Sequence, residues 1–266
     1  MTIKIERIVL TKAQLAGIPE AERNLFVLLG HAANEINILG KLLHFASSSE
    51  SATQLEAQAE QSQTNLLGAL LAGKVYEFWN LLHSGYFKSA ISRDYDPLLD
   101  DDTRTALGEM KRYFSQNNLI ARIRNGHAFH YDVSQATEGF RTSEDGDPFD
   151  IYLSADNANS LYGFADTIAY RGMLERVTPG DLAKAISMLV TETMRATGWA
   201  NEIMGGLMAV CIGRHLAVGP DTLSAEVVSI ENAPPSDAVR IPFFVELKPP
   251  VEAEPPVPPL AQPAGD

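Results

Sequence analysis

Apolar residues recur at three- and four-residue intervals over two long stretches, and this periodicity constrains the fold more than any other feature of the chain. The first stretch runs Leu25, Leu28, Leu29, Ala32, Ile36, Leu39, Leu42, Leu43; the second runs Leu66, Leu67, Leu70, Leu71, Val75, Phe78, Trp79, Leu82. At about 100° per residue such positions fall on one stripe of an α-helix. Each stretch therefore predicts a long amphipathic helix with a face to bury. Pro19 with Glu20 and Glu22 marks the first start, because the ring pre-sets φ and carboxylates suit the positive end of the helix dipole. That helix runs to about Ala46, carrying His31, Asn34, Glu35 and Asn37 on its other face, and Ser47 to Ser51 breaks it. Gln54 to Gln63 is helix-prone but has no apolar face of its own, and the second helix ends near Ser84-Gly85. Tyr76 and Trp79, set among leucines, read as core.

A loop with Asp94, Asp96 and Pro97 leads to Asp100-Asp101-Asp102, acids placed to cap a third helix that reaches Gln116 through Leu107, Met110 and Phe114. Asn117-Asn118 marks a bend. From Val133 to Asp150 the chain turns polar and glycine-rich, which predicts an insertion or loop over about 133–157, ahead of a short strand from Phe149 to Leu153. A shorter helix is expected over Ser160 to Leu174. Thr178-Pro179-Gly180-Asp181 reads as a cap with proline at the first helical position. The helix that follows runs to about Leu216, with a break at Gly198 or Gly205-Gly206. Residues 2–10 alternate loosely, as in a short strand, and Val227 to Ile230 and Val239 to Leu247 are strand-like. The expected fold is mainly α: a bundle of four to five long helices over residues 1–247, with a minor β element in the C-terminal half. Residues 248–266, with seven prolines in nineteen positions, are expected to form a disordered Pro-rich tail.

Composition narrows the function classes. Apolar residues make up 45% of the 266, ample for a continuous core. The formal charge of −13 argues against broad coating of nucleic acid. The charged start, Met1-Thr2-Ile3-Lys4-Ile5-Glu6-Arg7, has no apolar signal region, and the apolar run Ile203 to Gly213 is too short to span a bilayer. A soluble cytoplasmic protein with no membrane partner is expected. The single cysteine, Cys211, sits in that run and reads as a small buried hydrophobe. Paired-cysteine metal motifs, glycine-rich phosphate loops and Gly-x-Ser-x-Gly elbows do not occur, and no cofactor is expected.

Chemistry concentrates in Ile123-Arg124-Asn125-Gly126-His127-Ala128-Phe129-His130-Tyr131-Asp132. This segment closes a window, Met110 to Tyr131, that carries Lys111, Arg112, Arg122 and Arg124 without one Asp or Glu. Such a window is expected to attract an anion. On a helix, Arg124, His127 and Tyr131 share a face, and His130 lies about 60° beyond His127. All four can line one pocket, while Phe129, Ile123 and Leu119 face the core. Histidine exchanges protons near neutral pH, and arginine offers fixed donors to a phosphate whose charge grows in the transition state.

Arg124-Asn125 followed after four residues by His130 resembles the Arg-x4-6-His signature of the HEPN superfamily of helical bundles. The resemblance implies metal-independent endoribonuclease activity. In it His130 activates a ribose 2′-hydroxyl, Arg124 holds the phosphate, Asn125 positions one or both, and two protomers share the cleft. His127, Tyr131, Arg122 and Glu35 are expected to support the site. Arg122 and His127 also satisfy an Arg-x4-His spacing, so two registers are open; the Asn after Arg124 favours the first. The partners implied are RNA, a second copy of the chain and, for a toxin or defence protein, a neutralising antitoxin or other protein. Many proteins of the superfamily are noncatalytic binding modules, which is the main alternative. A zinc site on His127 and His130, completed by Glu35, His31 or Asp132, is disfavoured because Arg122 and Arg124 would repel the cation. An interaction role through the proline-rich tail needs no chemistry.

Overall fold

In the computed structural model, which describes residues 1–47, 53–125, 132–216 and 225–246, the chain starts as strand β1 (Ile3–Ile8) and then turns helical. Short helix α1 (Lys12–Gly17) is closed by a capping box: the Gln14 N–H donates to the Thr11 hydroxyl and the Thr11 N–H to the Gln14 side chain. Helix α2 (Glu20–Ala46) starts directly after Pro19, as its acids predict. Helix α3 (Gln54–Leu81), capped by Thr53, takes in the polar Gln54–Gln63 stretch without a break and continues as a π-helical turn over Leu82–Phe87.

The segment expected to be a loop before the third helix instead forms α4 (Ala90–Tyr95) and a 3-10 turn over Asp96–Leu98. Ser89 caps α4 by accepting from the Ile91 N–H, a local bond that a search for apolar periodicity passes over. Asp100 caps α5 (Asp101–Phe114), and Asn118 caps the five-residue α6 (Leu119–Ile123) by accepting from the Ala121 N–H at 2.8 Å. The loop expected over 133–157 stands from 143 to 156 and is corrected before that. Val133–Thr142 is helix α7, capped by Asp132, and it packs along α8 (Gly163–Val177).

Glycine is what lets α7 lie on α8, and it is also what made the sequence there look like a loop. A Cβ on Gly139 would collide with the Ile168 carbonyl oxygen, and one on Gly172 with the Gln135 carbonyl oxygen. Both obstacles are backbone and cannot swing away. Gly172→Ala is therefore expected to lower stability by about 1–3 kcal/mol, the usual cost of overpacking. A urea midpoint unchanged from the parent chain would refute the close approach.

Helix α9 (Leu182–Cys211) is continuous through Gly198 and Gly205-Gly206, without the expected break, and ends in a π-helical turn over Ile212–Leu216. Gly206 is needed because Thr103 of α5 lies where its Cβ would stand. The cap of α9 is Asp181, which accepts from the Lys184 N–H; Pro179 precedes it and is not the first helical residue. The core runs through these long helices: Leu29 and Ile36 of α2, Leu71, Val75 and Phe78 of α3, Met110 of α5, Ile120 of α6, and Ile203 and Leu207 of α9 are sealed from solvent. Each contributes on the order of 1.5–3 kcal/mol by burial.

Strand β2 (Ala225–Ile230) pairs antiparallel with β1, Ile3 opposite Ile230 and Ile8 opposite Ala225. Half of the β element thus comes from the start of the chain, not from its C-terminal half. Neither of the other expected strands forms. Phe149–Leu153 keeps one bridge, Tyr152 to Leu161. Within 239–246 the backbone finds other partners: the Ile241 N–H donates to the Phe45 carbonyl, and the Asn159 amide brackets both backbone groups of Val245. The expected tail, 248–266, lies outside the described residues. No helix among them is long and apolar enough to cross a membrane.

Candidate functional site

Asn118 and Tyr113 fix where the motif begins. The Asn118 amide donates to the Gln116 carbonyl while its oxygen caps α6, and the Tyr113 hydroxyl accepts from the Ile120 N–H and donates to Glu192 of α9. Burial and the neighbouring carboxylate push the Tyr113 phenol well above its usual range, so it stays protonated and donating. Leu119, Ile120 and Ile123 are buried, as the core-facing reading of Leu119 and Ile123 requires. Arg124 and Asn125 follow at the rim.

Arg124 is held from three sides. Its Nε and Nη2 both donate to Glu77 Oε1 of α3, at 3.1 and 3.0 Å, and its Nη1 donates to Asn125 Oδ1 at 3.1 Å. Its guanidinium carbon lies 5.5 Å from the centre of the Tyr76 ring. Tyr76 is braced edge-on by Phe114, which in turn stacks on Trp79 with centroids 5.2 Å apart. The Arg124 side chain remains 32% exposed. A guanidinium has five N–H donors; three are used here, and two face no partner among the described residues.

Beside α6 a groove of about 430 Å³ is lined by Arg122, Asn125, Asp132 and Arg176, together with Met173 and Val177. Arg122 is exposed and donates to the Arg176 carbonyl at 3.1 Å. Arg176 is paired with Asp132 at 2.8 Å. Hydrogen bonds from the Ser134 hydroxyl, from Arg176 and from the Ser134 N–H hold the Asp132 carboxyl low, at about 2. The sign follows from that depression: the anchoring is complete above the ordinary carboxylate value of about 3.9 and is lost as pH falls from there through about 2. Carbon-13 NMR titration of Asp132 should find its midpoint well below those of exposed carboxylates, with amide exchange of α7 accelerating over the same interval. A midpoint near the ordinary value would refute the clasp.

The structure brings Arg124, Asn125 and Arg122 to one end of α6. Glu35 pairs with Lys74 of α3, at 2.7 Å, and not with these arginines, and it lies 3.8 Å from His31. His127, His130 and Tyr131, with Phe129, lie outside the described residues. The acid-free window is acid-free only along the chain. Glu77 reaches Arg124 from α3, Glu109 reaches Arg112 at 2.7 Å, and Asp132 meets Arg176 across the groove.

Two polar clusters escaped sequence reasoning. Glu22 of α2 accepts from the buried Tyr95 hydroxyl at 2.6 Å and lies 2.8 Å from His215 Nε2, beside buried Cys211. Gln58 of α3, at 8% exposure, has no hydrogen-bond partner for either amide atom among the described residues and stands on the wall of a cavity of about 210 Å³ shared with Asp166 and the Asp147–Arg171 pair. Nothing local foretold either, since each depends on partners far along the chain. No family model, curated protein or solved structure matches the chain.

Proposed function

We propose that the chain is a HEPN-like, metal-independent endoribonuclease, with Arg124 as the phosphate ligand, His130 as the base and Asn125 as the residue that positions Arg124. The observation that carries this reading is the state of Arg124: its guanidinium is oriented by Glu77 and Asn125, about a third exposed, with two N–H donors uncommitted among the described residues. Donors fixed in advance at the point where phosphate charge develops are what electrostatic catalysis requires. In the reaction His130 takes the ribose 2′-hydroxyl proton and O2′ attacks the adjacent phosphorus. The P–O5′ bond breaks, and the departing O5′ is protonated. The products are a 2′,3′-cyclic phosphate and a 5′-hydroxyl, and no metal takes part. Arg122 and the Arg176–Asp132 pair line the neighbouring groove, a path for the RNA backbone. An acidic chain of this kind suits a narrow substrate, and a toxin or defence role with a neutralising protein partner fits it.

A second reading is favoured by one observation: Glu77 already balances the charge of Arg124, which suits a noncatalytic HEPN-like module that binds RNA or protein. Incubating the purified chain with single-stranded RNA in EDTA separates the two. Cyclic-phosphate ends support the nuclease; binding without cutting supports the module.

A further inference from the structure

Among the described residues the β1–β2 ribbon has no cover. All six residues of each strand are exposed, and among the described residues no helix packs along either strand. Directly paired residues share a face. Ile3, Ile5, Val228 and Ile230, between 39% and 46% exposed, therefore form one apolar patch, with the Arg7–Glu226 ion pair at its end. An isolated two-stranded ribbon is marginal in water, and its free edges are templates for another strand.

We propose that this ribbon is a self-association surface, on which β1 of one copy pairs antiparallel with β1 of a second about a two-fold axis through Ile5. The charges of β1 select both the occupant and the register. Three antiparallel registers of Ile3–Ile8 on itself pair five or more of the six residues. One sets Lys4 opposite Arg7 and another sets Glu6 opposite Glu6, both repulsive. The third sets Lys4 of each copy opposite Glu6 of the other and Ile5 opposite Ile5. Parallel in-register pairing would oppose Lys4 to Lys4. The edge of β2 has no such complement: its one charged residue is Glu226, already bonded to Arg7. Lys4 and Glu6 face the uncharged Ser229 and Val227 within the ribbon and have no ion-pair partner among the described residues.

In the proposed register the strands run β2-β1-β1-β2. The row Val228, Ile5, Ile5, Val228 is continuous across the axis, with Ile3 opposite Arg7 on either side. A contact of this size belongs with weak, concentration-dependent association. It does not depend on the ribonuclease reading, and an Arg124→Ala chain should associate as the parent does.

Sedimentation velocity over a wide concentration range tests it on the parent chain, on Lys4→Glu, on Glu6→Lys and on the double swap, with circular dichroism confirming the helices in each. The parent is expected to dimerise. In the proposed register each single change opposes like charges twice across the axis; Glu6→Lys, which leaves both other registers repulsive, should weaken the dimer by about tenfold or more, and the double swap should restore it. Cys211 is 1% exposed, so Ile5→Cys supplies an accessible thiol that should cross-link two copies under mild oxidation, whereas Ile8→Cys should not. A parent chain that stays monomeric, a Glu6→Lys chain that dimerises as the parent does, or a double swap that fails to rescue overturns the proposal.

Discussion

RNA cleavage in EDTA is expected to fall by about 10²–10⁴-fold in His130→Ala, the range for loss of a general base, and by about 10²–10³-fold in Arg124→Ala, the range for one donor to the developing oxyanion. Arg124→Ala also removes a phosphate contact, so the salt dependence of RNA binding should flatten by about one in log–log slope. Glu77→Gln is the discriminating companion. It keeps an acceptor beside Arg124 Nε and Nη2 but removes the countercharge, so RNA binding should tighten and its salt dependence steepen. Arg122→Ala with His127→Ala tests the other register of the motif. If Arg124→Ala and His130→Ala cut as fast as the parent chain, the assignment fails. If the loss follows Arg122 and His127 instead, the chemistry survives with the register changed.

Local signals were legible and distant pairings were not. Helix α2 is legible at both ends, because a leading proline and two acids mark its start and an apolar stripe followed by a polar break ends it near Ala46. Helix α7 is hidden in the sequence because Gly139 and its polar neighbours suggest a break, when Gly139 is there to admit α8. The motif was visible as a cluster of residue types, but its electrostatics were not: Glu77 stands 47 positions from Arg124, and periodicity carries no record of which remote carboxylate arrives. Both strands of the sheet are legible in the sequence, as alternation over 2–10 and an apolar run at Val227 to Ile230, but their pairing is not, the strands being 219 positions apart at the Arg7–Glu226 bond.

Glu22 shows how far a local reading can miss. At the sequence level it is one of two acids suited to a helix N-terminus, an effect of about 0.3–1 kcal/mol. In the fold it is 9% exposed and serves Tyr95, 73 positions away, and His215, 193 positions away. It thereby joins the first turn of α2 to the end of α4 and to the π-helical turn after α9, where Arg214 donates to the Asp94 carbonyl and lies 5.0 Å from the centre of the Tyr95 ring. Burial, then the bond to Glu22, pushes the Tyr95 phenol far above its ordinary value, and burial likewise pushes up the Cys211 thiol. Both groups are structural hydrogen-bond partners here, not reactive ones. Glu22→Ala would leave a sealed hydroxyl and a nearly buried imidazole without their acceptor. Each orphaned polar group costs about 1–3 kcal/mol, so a loss of about 3 kcal/mol is expected in urea unfolding. Tyr95→Phe alone should cost about 1 kcal/mol. Combined with Glu22→Ala it should cost less than the sum of the two, because the orphaned hydroxyl is gone. Strict additivity, or a Glu22→Ala loss below about 1 kcal/mol, would mean that the three elements are held by their apolar packing and that the carboxylate is incidental.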